Sequence, residues 1–150
     1  MNFLSKRSLL GIAAVTDVAL YARPSPVAAK ALAARHRLPP RHLETLLQGL
    51  VQANILKGVR GPRGGYELAR ERRKITVGEI VRTVMAMGAA DPEESGPASK
   101  LVRKVIEPGV RKAGETFLAN LDAITIEDLC AAAVAARILE DETTEGDFAI

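Results

Sequence analysis

The chain has 150 residues, enough for one domain with an added arm, and its 47% apolar content comes with only 3% aromatic residues: no Trp, two Tyr and three Phe. Its core is therefore aliphatic, built from Leu, Val, Ile and Ala, which favours helices. The one cysteine, Cys130, excludes an internal disulfide and any cluster or zinc site made from several thiolates of one chain, and it fits a cytoplasmic location best.

The net charge of +3 conceals a division at Lys74. Residues 1–74 hold fourteen Lys and Arg against Asp17, Glu44, Glu67 and Glu71, a net of +10; the remainder holds seven against fourteen, a net of −7. A basic first half on an acidic body is the electrostatic footprint of a nucleic-acid-binding head. Lys6-Arg7 followed by the apolar run Leu9 to Val15, with Ala19 and Ala22 beyond, resembles a short secretion signal. Asp17 interrupts that run, however, and Leu10, Ala14, Val18 and Tyr21 fall at helical spacing. No stretch is long enough to span a bilayer, so no membrane partner is expected.

Ser5 is positioned to cap a first helix running to about Tyr21, with Leu10, Ala14, Val18 and Tyr21 as its core face. Arg23-Pro24-Ser25-Pro26 ends it. A short alanine-rich helix follows from Ala28 to about His36, anchored by Leu32. The turn Arg37-Leu38-Pro39 leads into a third helix, for which Pro40 is a suitable first residue because a missing N–H costs nothing there. In this helix Leu43, Leu46, Leu47, Leu50 and Val51 recur at steps of three and four, the pattern of one buried stripe. Arg41, His42, Glu44, Thr45 and Gln48 face outward along its first half.

Arg60-Gly61-Pro62-Arg63-Gly64-Gly65-Tyr66 reads as the tip of a two-stranded hairpin between Ile55–Val59 and Tyr66–Ala69. Pro62 and Arg63 take the central turn positions, and Gly64 and Gly65 are expected to supply positive φ. Two guanidinium groups on a tight tip with no acid contribute little to a core; they point to a polyanion. A helix pair followed by an Arg-tipped hairpin is the order of a winged helix-turn-helix, so the expected fold is mainly α with a small β-hairpin wing. Thr76-Val77-Gly78-Glu79 then reads as a capping box, opening a fourth helix with Val77, Ile80, Val81 and Val84 inward. Met87 to Pro97 reads as a boundary loop. Pro108-Gly109 is expected to break the next helical stretch, which places a long helix from about Val110 to Leu121 with Val110, Ala113, Phe117 and Leu121 on its apolar face. Thr125-Ile126-Glu127-Asp128 opens a last helix, and Glu140 to Ile150 forms an acidic, frayed end. The division is therefore a DNA-binding head at 1–86, a loop or linker at 87–109, dimerisation helices at 110–139 and a tail at 140–150. No serine–histidine–acid arrangement, phosphate-binding Gly loop with Lys or paired-carboxylate motif is present, so an enzyme is not expected.

The stretches Asp17-Val18-Ala19-Leu20, Leu43-Glu44-Thr45-Leu46-Leu47 with Leu50, Val59 to Ala69, and Ile75-Thr76-Val77-Gly78-Glu79-Ile80 resemble the Rrf-type repressors. That family includes the bacterial iron–sulfur cluster assembly regulator, nitric-oxide-sensing repressor and cysteine-metabolism repressor. The likeness covers Leu4 to about Val84 and continues weakly through Leu121 to Leu129. It implies a homodimeric transcription factor on an imperfect palindrome of double-stranded DNA. The helix from Pro40 would lie in the major groove, with Arg41, His42 and Glu44 where the family reads bases. Arg60 stands where the family enters the minor groove, and Lys6 and Arg7 stand near its phosphate contacts. The long helix would cross its twin and hold two heads about one helical turn of DNA apart. Several members hold an iron–sulfur cluster on three cysteines between the fourth and fifth helices; Gly88 to Glu107 has none, so no cofactor is expected and the effector is unassigned. Pro39 stands where a serine cap is common in the family and cannot cap through a side chain.

Each candidate has an alternative. Arg41 either bonds a guanine edge twice, touches phosphate, or is a solvated charge. His42 is a base or phosphate contact or a half-exposed structural histidine; with His36 it lacks the partners of a metal site. Glu44 either accepts from cytosine N4 or is a favourable first-turn charge. Arg60 and Arg63 are read as DNA contacts. Cys130 is a buried small hydrophobe or the sulfur of an intermolecular disulfide. A second function class is a protein-interaction module whose basic head docks an acidic partner.

Overall fold

The computed structural model describes residues 3–88 and 99–138. The elements run α1 (Lys6–Tyr21), α2 (Ala29–Arg35), α3 (Pro40–Gln52), β1 (Leu56–Val59), β2 (Gly65–Leu68), a 3₁₀ turn (Arg72–Lys74), α4 (Val77–Gly88), α5 (Glu107–Leu121) and α6 (Ile126–Ala135). This is the expected mainly helical fold with a β-hairpin wing. Ser5 caps α1 by accepting from the Ser8 N–H at 3.1 Å. The face of α1 that enters the core is Gly11, Ala14, Val15 and Val18, turned from the expected stripe so that Leu10 and Tyr21 are only partly buried. Gly11 allows α4 to approach, since a Cβ there would meet the Val84 side chain at 2.8 Å.

The stripe of α3 is buried along most of its length: Leu43, Leu46, Leu47 and Leu50 are all 0–1% exposed, while Val51 at its end is only partly buried. The helix ends in a Schellman motif: Asn54 takes φ 58°, its N–H reaches the Val51 carbonyl at 3.0 Å, and the Ile55 N–H reaches Leu50 at 3.0 Å. Asn tolerates this left-handed position, and the motif delivers Ile55 and Leu56 into the core at the start of β1.

β1 and β2 pair antiparallel in the register Leu56↔Leu68 to Val59↔Gly65. At the tip Gly64 donates to the Gly61 carbonyl at 2.9 Å, which places Pro62 and Arg63 in the central turn positions. The positive φ falls on a different glycine from the two expected. Gly61 holds the positive φ, at 118°, while Gly64 and Gly65 do not. They are small because backbone passes close by: a Cβ on Gly65 would collide with the Val27 carbonyl, and one on Gly64 with the Val59 carbonyl. Val27 adds a bridge outside β2, exchanging hydrogen bonds with Tyr66 at 2.8 and 3.0 Å, so the entry to α2 is stitched to the wing.

Thr76 caps α4 through the Glu79 N–H at 3.1 Å, but the Glu79 carboxylate does not complete the box. It pairs with Arg70, which also donates to the Asn54 carbonyl at 2.9 Å, fastening the wing base to α4. The full capping box belongs to α6, where Thr125 and Asp128 bond reciprocally at 2.9 and 3.1 Å.

The long helix also departs from expectation. It begins at Lys100, with Ser99 Oγ accepting from the Val102 N–H at 3.3 Å, passes through a π-wound turn at Val102–Ile106, and continues as α5 to Leu121. Pro108 therefore lies within a continuous helix. The π-wound turn immediately precedes it, a change of winding that accommodates the proline inside the helix. The part of the expected boundary loop at 89–97, and the expected frayed end at 140–150, fall outside the described residues.

Gly65→Ala should open the Val27–Tyr66 bridge and cost about 1–3 kcal/mol in urea unfolding, while Gly58→Ala, with open space around it, stays within about 0.5 kcal/mol. The Thr125 backbone N–H holds the Asp128 carboxyl below the ordinary aspartate range. A carboxyl depressed by folding contributes fully above its unfolded value of about 3.9 and loses that contribution as the pH falls through its lower folded value. The Tm difference between wild type and Asp128→Asn should therefore be present at neutral pH and shrink in the acid range below it.

Candidate nucleic-acid interface

Burial of the leucine stripe turns the opposite face of α3 outward. Arg41, His42, Glu44, Thr45 and Gln48 are all exposed on it. Pro39 is the N-cap residue and makes no side-chain cap, leaving the first turn of α3 without a side-chain acceptor on its N–H groups. Glu44 lies beyond that first turn, which contains no acid, so a first-turn dipole role does not account for it.

The first turn of α1 approaches this end of α3. Lys6, Arg7 and Leu10 line one open cleft of about 580 Å³ with Leu38, Arg41, His42 and Thr45. Glu44, Gln48 and the wing arginines lie outside that lining. Two helix N-termini thus point their first-turn cations at a shared space. That arrangement is unfavourable for the helices, because a helix N-terminus carries about half a positive charge and stabilises anions, not cations. An anion in the cleft reverses the sign of the interaction, since the positive helix ends and the side-chain cations then act together.

Arg60 and Arg63 are exposed on the wing. The ion pairs among the described residues use Arg35, Lys57, Arg70, Arg73 and Arg82, with His36 beside Arg35 on Asp17. None of them uses Lys6, Arg7, Arg41, Arg60 or Arg63. Arg35, Arg70 and Arg82 thus join elements through acids, whereas these five cations form no ion pair among the described residues.

On the long helix no residue of α5 is buried. Val110 is 59% exposed, Ala113 is exposed, and Phe117 and Leu121 are half-buried; Leu101, Val105 and Ile106, upstream of the expected start, are exposed as well. Phe117 meets Phe3 edge-on, with ring centroids 6.0 Å apart. Cys130 is 2% exposed in the core face of α6. Among the described residues no three His, Cys, Asp or Glu side chains form a metal-binding group, and His36 is committed to Asp17. No described helix is long and apolar enough to cross a membrane.

A helix pair, an outward polar face and an arginine-bearing wing are the parts of a DNA-binding transcriptional regulator of the helix-turn-helix type. The comparisons make this specific. Residues 4–132 match the Rrf2 family model, described as an iron-dependent transcriptional regulator, and the chain belongs to that family. A putative HTH-type transcriptional regulator of Synechocystis is 32% identical over 126 residues, covering 84% of this chain and 86% of the relative. CymR of Bacillus subtilis is 29% identical over 130 residues, 84% of this chain and 88% of its own. Among solved structures, T. potens IscR superposes with a TM-score of 0.67 at 32% identity, covering 88% of both chains, and B. subtilis CymR with 0.64 at 28%, covering 88% and 98%.

The residues of this chain do not fit an iron–sulfur cluster held by several cysteines. Gly88 to Glu107 contains no cysteine, and the one present is buried on α6.

Arg41→Gln removes a cation from the positive end of α3 without touching the core. It should leave stability unchanged or raise it by up to about 1 kcal/mol in urea unfolding.

Proposed function

We propose that the chain is a cytoplasmic homodimeric repressor that binds an imperfect palindrome in double-stranded DNA without an iron–sulfur cluster. The observation that carries this reading is the shared cleft where the cationic first turns of α1 and α3 meet. Arg41, His42, Glu44, Thr45 and Gln48 read base edges from the major groove. Lys6 and Arg7 contact phosphate, and Arg60 and Arg63 enter the minor groove from the wing. The exposed apolar residues of the long helix support the dimer: Leu101, Val105, Ile106 and Val110 are 46–60% exposed, and a second copy of the helix would cover them. Dimerisation sets two recognition helices at the spacing of successive major grooves.

A duplex selected by the protein from a random pool should outcompete unselected DNA, with affinity falling steeply as salt rises. Arg41→Ala should relax discrimination at one base position by about 1–3 kcal/mol. Arg60→Ala and Arg63→Ala should weaken binding. Val110→Glu should shift the protein towards monomer in sedimentation. No more attraction for duplex at low ionic strength than a neutral control protein shows would overturn the DNA reading, and would instead favour docking to an acidic protein.

A further inference from the structure

Asp17 is the buried carboxylate of α1, 5% exposed in a helix face that otherwise carries Gly11, Ala14, Val15 and Val18. A charge taken out of water at that depth requires partners, and it has three hydrogen bonds from two residues. Arg35 grips it in fork geometry, Nε to Oδ2 at 2.8 Å and a terminal nitrogen to Oδ1 at 2.7 Å; His36 Nε2 meets Oδ2 at 3.0 Å. The Arg35 guanidinium also lies over the Tyr21 ring, 4.1 Å from its centroid.

The place in the chain that these bonds hold gives them their meaning. Arg35 is the last residue of α2, His36 its C-cap, and Arg37 the following residue with φ 53°. Arg37 and Leu38 close a Schellman motif, donating to Ala34 at 3.2 Å and Ala33 at 3.0 Å. A non-glycine residue in this region is strained by about 1–2 kcal/mol, and its φ and ψ set the angle at which α3 leaves α2. The carboxylate therefore holds the two residues immediately before the hinge of the helix-turn-helix, from the helix whose first turn shares the cleft with Arg41.

We propose that Asp17 is a positioning residue for sequence recognition, acting through Arg35 and His36 on the direction of α3. Phosphate contacts tolerate a small rotation of α3 because Lys and Arg side chains follow; base-edge hydrogen bonds do not. Loss of the grip therefore lowers specificity more than affinity. The proposal rests on the DNA-binding reading above.

The test compares wild type, Asp17→Asn, Arg35→Lys and His36→Gln at a temperature where circular dichroism shows each variant fully folded. Dissociation constants are measured on the duplex selected by wild type from a random pool and on an unselected duplex, across a salt series. Expected is a drop of at least about tenfold in the selected-to-unselected ratio for Asp17→Asn and Arg35→Lys, with the unselected affinity and its salt slope held within about twofold. His36→Gln, which keeps a donor toward Oδ2, should retain most of the ratio. Should Asp17→Asn not fold, Arg35→Lys, which keeps the charge and loses the fork, decides the matter. A lowered Tm with an unchanged ratio in the folded variants would reduce Asp17 to a purely structural role and overturn the proposal. Failure of wild type to select any duplex would instead overturn the DNA-binding reading itself.

Discussion

Removing one leucine stripe from water orients everything else in the head. Four side chains of α3 at 0–1% exposure, each worth about 1.5–3 kcal/mol on full burial, leave that helix a single rotational setting about its axis. The polar face is then the outward one by necessity. The Schellman end at Asn54 carries the same chain directly into β1, so the wing inherits its position from the stripe. The bridge from Val27 and the Arg70–Glu79 pair fasten that wing on two sides, which allows a four-residue hairpin strand pair to present arginines from a defined place.

Electrostatics divides the cations into two groups. Arg35, Arg70 and Arg82 reach between elements to acids, and the forks that Arg35 and Arg82 make add orientation as well as energy. Lys6, Arg7 and Arg41 occupy helix first turns, where the backbone field opposes them. Their placement lowers the stability of the free protein and raises the potential at the cleft. A basic head assembled for stability alone would put its cations at helix C-termini, as α2 does with Arg35.

The features legible in the sequence are those governed by neighbours close in the chain: the period of the α3 stripe, the Ser5 cap, the Pro62-Arg63 turn and the Thr125 opening of α6. Features governed by distant backbone were not. Gly65 looks like a turn glycine because it stands beside a turn, yet the atom it makes room for is the carbonyl of Val27. Asp17 looks like an interruption in an apolar run, because nothing nearby reveals that Arg35 and His36 fold back against it. Glu79 has the spacing of a capping box, and Arg70 competes successfully for its carboxylate. Of the candidate site, the identities of the exposed residues were readable from periodicity, whereas the meeting of Lys6 and Arg7 with Arg41 was not, since it depends on how α1 crosses α3.

The long helix shows how a local rule yields to a small change of winding. Proline disfavours a regular helix because its ring opposes the carbonyl one turn back and its nitrogen donates nothing, which is why Pro108-Gly109 reads as a break. A π-wound turn inserts one more residue before that point and moves the carbonyl ladder out of register with the ring, so the rod continues through Pro108. The consequence is an apolar edge that begins at Leu101, well before Val110. No residue of α5 is fully buried, its packing on the head is confined to half-buried residues such as Phe117 and Leu121, and helices rarely persist in water on propensity alone. Leu101, Val105, Ile106 and Val110 stay exposed along it, and they are the surface that a second copy of the same rod would cover in the proposed dimer.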